Sequence, residues 1–130
     1  MDGLHVLMPV ARQYRYTAIR AAAGSLSTHL LKQHADLVSL DWASEERTDK
    51  IFIDFNQNVR GKSIVAPYSL RASTDMPVSA PLRWGELGDI YPTDFTPDRV
   101  VDRLSRSGDL WQDIFDHKSD LRALVTRSDR

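Results

Sequence analysis

The segment Lys50-Ile51-Phe52-Ile53-Asp54-Phe55 is the strongest constraint on how this chain folds. Its apolar residues alternate, so an extended strand puts Ile51, Ile53 and Phe55 on one face and Phe52 with Asp54 on the other. A carboxylate in an apolar strand must pair, take up a proton or bind a cation, because burying it alone is costly. The strand leaves two readings of Asp54 open. It is an aspartate at a strand end, paired with a neighbour such as Arg47 or Arg71, or it grips a divalent ion. Magnesium needs further oxygen ligands, often phosphates, so one carboxylate rarely suffices.

The rest of the chain supplies elements around that strand. Leu4 to Pro9 reads as a short strand closed by proline, with Leu4, Val6 and Met8 on one face and His5 on the other. Tyr16, Ile19, Ala23, Leu26 and Leu30 predict an amphipathic helix over roughly residues 14–34. Gly24 inside it costs about 1 kcal/mol relative to alanine. Ser39 to Thr48 reads as a short helix capped by Ser39, and Ser63 to Ala66 as extended, since Pro67 biases Ala66 away from helix. Leu82, Trp84 and Leu87 are expected to form a local cluster. Thr96-Pro97-Asp98 has the form of a helix start, with Val100, Val101 and Leu104 as its apolar face. Leu110, Trp111, Ile114 and Phe115 suggest another short helix, after which a charged tail, residues 116–130, is expected to fray.

Composition narrows the class. With 130 residues and an ordinary apolar fraction of 42%, the chain can build one core. It has no cysteine, which removes disulfides and thiolate metal sites and suits a cytoplasmic setting. No run of about 18 apolar residues is present, so no membrane span is expected, and the start shows no basic leader. A net charge of −1 leans against a free-standing DNA binder. The charge is uneven, however: Arg47, Lys50, Arg60, Lys62 and Arg71 are interleaved with Glu45, Glu46, Asp49 and Asp54.

Three further features carry possible chemistry. His5 faces away from its strand's apolar stripe, where a histidine is more often structural or exposed than functional. Asn56, Gln57, Asn58 and Lys62 follow Asp54; amides and a lysine beyond a strand end suit a ligand's phosphates or base edge, or form a plain polar loop. Gly61-Lys62-Ser63 is half of a phosphate-binding loop, but Asn56 stands where that pattern needs a glycine.

The string Ile53-Asp54-Phe55-Asn56-Gln57-Asn58, then Lys62 to Ala66 and Pro67-Tyr68-Ser69-Leu70-Arg71, closely resembles the polymerase domain of ligase D, of the archaeo-eukaryotic primase superfamily. Gly3-Leu4-His5-Val6 and the segment Pro77 to Leu87 match the same family, so the likeness covers about residues 3–115. It implies an α+β (α/β) fold: an incomplete primase-polymerase sheet with helices on one face. It implies that Asp54 is a catalytic carboxylate and metal ligand for Mn2+ or Mg2+, and that His5, Lys62 and Arg71 meet the phosphates of an NTP or dNTP. Gln57 would lie by the sugar or base, and Arg47 would be a weaker basic contact. The implied chemistry is attack of a DNA 3′-hydroxyl on an α-phosphate in end repair, with two metals.

The sequence departs from the family in one respect that matters. The family's first motif brings two aspartates, and no Asp-x-Asp pair occurs here. Asp2 also stands where a lysine is common. One carboxylate in place of three is not expected to hold two metals, so the chain is expected to be inactive alone and to need a separate N-terminal polymerase half. The alternative is a non-catalytic module that binds nucleotide or DNA ends, or docks an ATP-dependent DNA ligase. A folded domain with neither activity is the third possibility. Exposed apolar surface and self-association are expected of such a chain.

Overall fold

Helix α1 spans Tyr16–Gln33, close to the range its apolar spacing predicts, in a computed structural model that describes residues 3–42, 49–122 and 124. Ala22 and Ser27 are its most buried residues. The Ser27 hydroxyl donates to the Ala23 carbonyl at 2.8 Å, which satisfies a polar group inside the core. Tyr16 and Leu26, expected on the buried face, are exposed.

That sheet has two strands. After α1 the chain turns through His34, whose carbonyl accepts from the amides of Leu37 and Val38, and enters β1, Val38–Ser39. Strand β2 is Ile51–Phe52, and it runs parallel to β1 with Val38 opposite Ile51 and Ser39 opposite Phe52. Val38 and Ser39 are buried, whereas Ile51 is 68% exposed. The expected six-residue strand is therefore much shorter. The chain leaves the extended region at Asp54 (φ −87°, ψ 81°) and enters a 3-10 turn, Phe55–Gln57, so Ile51, Ile53 and Phe55 do not share one buried face. Ser39 is a strand residue and not a helix cap; its hydroxyl donates to Asp41, whose amide donates back to it. Residues 43–48 of the expected helix, Arg47 among them, lie outside the described residues.

The chain packs as two units. One is built on Val10–Ser63 and includes the elements above. Ser119 to Leu121 docks on it: Val10 bridges Ser119 in parallel, and the Tyr14 hydroxyl donates to Asp120 and accepts from the Leu121 amide. Leu121 is only 3% exposed, so the chain does not fray directly after Asp116.

The other unit comprises Ile64–Lys118 with the segment up to Pro9. Its core holds Val78 and Val100. Leu70 bridges Val78 antiparallel, and the Val78 amide donates to the Phe95 carbonyl at 2.7 Å. Helix α2, Pro97–Ser107, starts where Thr96-Pro97 predicts and ends at Gly108, whose positive φ of 68° suits glycine. Val100 is buried, but Val101, one position round the helix, is exposed. The expected Leu82–Trp84–Leu87 cluster does not form, and Trp84 is 74% exposed. A polar fork holds that turn instead. Both Glu86 oxygens accept from Arg103 at 2.7 Å, and one also accepts from the Arg83 amide at 2.7 Å. The expected helix near Leu110 is a set of turns ending in a 3-10 turn, Ile114–Asp116. Residues 3–9 form no strand. Among the described residues their backbone pairs with nothing, and Leu4, Val6, Leu7 and Met8 are exposed. No helix of the described residues is long and apolar enough to cross a membrane.

Candidate functional site

Asp54 stands one residue beyond Ile53, whose amide donates to Ser39 in the last rung of the sheet at 3.1 Å. The sheet carries neither Asp54 nor His5, contrary to the sequence expectation. The Asp54 side chain caps the turn that follows. Oδ1 accepts from the Asn56 amide at 3.1 Å, and Oδ2 accepts from the Gln57 side-chain amide at 2.9 Å. The group is half-buried, not sunk in an apolar face. Its two hydrogen bonds resolve the cost of a carboxylate next to Ile53 and Phe55 by local donors.

The turn is braced from α1. The Phe55 ring lies over Gly24, so close that a β-carbon there would come within 3.3 Å of Phe55 Cε2. A side chain at position 24 would therefore crowd that ring. Next to it, Arg20 donates to the Asn56 side-chain oxygen at 2.7 Å. Thr17, Arg20, Ala21, Gly24 and Phe55 line a shallow hollow of about 380 Å³ at this junction. Arg20 was not among the residues the sequence singled out. Its signal was indirect: a glycine and an arginine one turn apart on a helix.

Lys62 and Gly61 lie in the same unit, in a loop where Gly61 takes φ +86° and the Lys62 amide donates to Val59. The Lys62 side chain is exposed and makes no bond among the described residues. Lys50, in contrast, is committed: its ammonium donates to the Ala35 carbonyl at 2.7 Å. The structure thus brings Asp54 and Gln57 together, with Lys62 further along the same loop.

His5 and Arg71 belong to the other unit. His5 lies exposed in the unpaired segment near the start. Arg71 closes a short antiparallel pairing, its amide donating to Pro77 at 2.8 Å, while its exposed guanidinium makes no bond among the described residues. Tyr68 opens the same pairing. Its amide donates to Ser79 at 2.7 Å and its hydroxyl to Asp109 at 2.5 Å. Burial, then the Asp109 carboxylate, pushes the Tyr68 phenol up to about 12. The Arg103 fork pulls Glu86 down to about 2, helped by the Arg83 amide.

A divalent metal was expected at Asp54. Among the described residues no three His, Cys, Asp or Glu side chains gather to hold an ion. Asp54 contributes one carboxylate whose oxygens already serve the turn.

Comparison with known proteins identifies the class. The family described as "LigD, primase-polymerase domain" matches residues 1–111, slightly short of the span the resemblance suggested. The chain belongs to this family. The LigD non-homologous end joining DNA repair protein of Mycobacterium tuberculosis is 33% identical over 108 residues, 83% of this chain and 14% of that protein. LigD of Pseudomonas aeruginosa is 35% identical over 88 residues, covering 68% of this chain and 10% of its own length. The solved polymerase domain of M. tuberculosis ligase D, in complex with DNA, superposes with a TM-score of 0.75 at 29% identity; the match covers 85% of this chain and 39% of that one. The fold is mixed α+β, as expected. The chain spans a small part of the curated relatives and well under half of the solved domain.

Proposed function

We propose that this chain is the nucleotide-holding part of an end-joining primase-polymerase in the cytoplasm. It binds a nucleoside triphosphate at a DNA end and transfers no nucleotide alone. The observation that carries this reading is the Asp54 turn: a half-buried carboxylate beyond a strand end, oriented by Asn56 and Gln57 and braced by α1. In this reading Asp54 supplies one ligand to Mn2+ or Mg2+, and phosphate oxygens supply others. Lys62, Arg71 and His5 add positive charge or hydrogen bonds to the triphosphate, and Gln57 leaves Asp54 to meet the sugar or base. Arg47 adds a basic contact.

The missing carboxylates come from another polypeptide segment bearing an Asp-x-Asp pair, docked on the exposed Leu4, Val6, Leu7 and Met8. Without that partner the same apolar surface drives self-association. The absence of an Asp-x-Asp pair also supports a second reading, a non-catalytic module that binds nucleotide or DNA ends or docks a ligase. Primer extension with manganese and nucleotides separates them. The chain alone should extend nothing, and adding a polypeptide that carries the first motif should restore extension under the first reading only. Extension by the chain alone would contradict both.

A further inference from the structure

Tyr68 is a non-glycine residue at φ +63°, a left-handed conformation that bulky side chains rarely adopt. Such a residue persists only where its surroundings fix it, and here they are visible. The hydroxyl reaches Asp109, 41 positions away, whose carboxylate also accepts from the Trp111 amide at 2.8 Å. The amide is held by Ser79, and Ser79 in turn donates to Ser69 at 2.9 Å. Pairing then runs through Leu70 and Val78 to the Arg71 amide. Beyond Arg71 the chain leaves the pairing and turns through Ser73 to Met76, another residue with positive φ.

Arg71 is thus the last residue clamped before a loop. Its backbone is fixed from both sides while its guanidinium is left unbonded among the described residues. We propose that Tyr68, tethered to Asp109, is a positioning residue for Arg71, holding its guanidinium ready for a phosphate group. The inference rests on the nucleotide-binding reading and deepens it. A cation whose backbone is already ordered loses less freedom when an anion arrives, so the tether raises affinity without touching the ligand.

Titration calorimetry of the full chain with GTP and manganese tests this, with thermal melting as a check on folding. Arg71→Ala should weaken binding about tenfold or more, as loss of a charged hydrogen bond does. Tyr68→Phe and Asp109→Ala should each weaken it by a smaller factor, roughly threefold. Asp109→Asn keeps an acceptor for the phenol and should bind almost normally, which separates lost positioning from lost folding. In an Arg71→Ala background, Tyr68→Phe should have no further effect. Unchanged binding in Tyr68→Phe, with Arg71→Ala weakened, would overturn the positioning role and leave the site standing. An equal loss from Tyr68→Phe in both backgrounds would overturn it too, because the tyrosine would then act without Arg71. Full binding by Arg71→Ala, or no binding by the unmodified chain, would remove the nucleotide site and this inference with it.

Discussion

The Asp54 turn and the Arg71 pairing solve opposite problems. The carboxylate of Asp54 is engaged by its own neighbours, two and three residues on, and the turn is steadied by contacts to a helix about thirty residues earlier. Arg71 has a head that is unbonded among the described residues and a clamped backbone, and the decisive tether comes from Asp109. One region engages its candidate side chain in local structure; the other leaves its candidate side chain unbonded among the described residues and places the structural work elsewhere. The difference teaches that replacing Asp54 should perturb local structure and binding together, whereas replacing Arg71 should touch binding alone.

A large stability effect is expected away from both side chains, in the fork that holds the Arg71 unit. Glu86→Ala leaves the partly buried Arg103 without its bidentate partner and frees the Arg83 amide, and should cost about 2 kcal/mol, read as a lower melting temperature. The fork also sets an acid limit. Glu86 is held at about 2 against an ordinary value near 4.5, so its contribution is present above about 4.5 and fades as pH falls through about 2. Urea melts between pH 5 and 2 should show that loss in the parent and not in Glu86→Gln.

The Asp54 region is broken most sharply from its helix. Gly24→Leu drives a side chain into the Phe55 ring and should cost about 1–3 kcal/mol. Asp54→Ala removes the turn's cap and should cost about 1 kcal/mol. Arg71→Ala should stay within about 0.5 kcal/mol. A melting shift for Arg71→Ala as large as that for Asp54→Ala would erase the contrast. At alkaline pH the Tyr68 tether reverses the acid pattern. Its phenol is raised from 10 to about 12, so the stability it brings is complete below pH 10 and disappears as pH climbs through 12. Tyr68→Phe should flatten that part of the profile.

What the sequence revealed follows the same division. Helix α2 was legible because its start signal, Thr96-Pro97, is local. Helix α1 was legible from its spacing. The strand at Ile51 was recognised by type but overextended, because its length depends on a two-residue partner, β1, that no pattern announced. The Leu4 segment has strand composition and no strand, since a strand exists only with a neighbour to pair with. Asp54 and Gln57 were read separately, as ligand contacts; that they bond to each other depends on the turn at Phe55–Gln57, which the sequence pattern did not announce. Tyr68 stood inside the family string without a role, for its meaning lies in Asp109 far along the chain. Phe55 over Gly24 was hidden for the same reason.

Binding of manganese-GTP to the purified chain tests the proposed roles of Asp54 and of Arg71 most directly. Asp54→Asn, which keeps an acceptor for the Asn56 amide while removing the charge, should weaken binding about tenfold with manganese present and far less without it. Binding that is the same in the parent, in Asp54→Asn and in Arg71→Ala, with metal or without, would contradict the account.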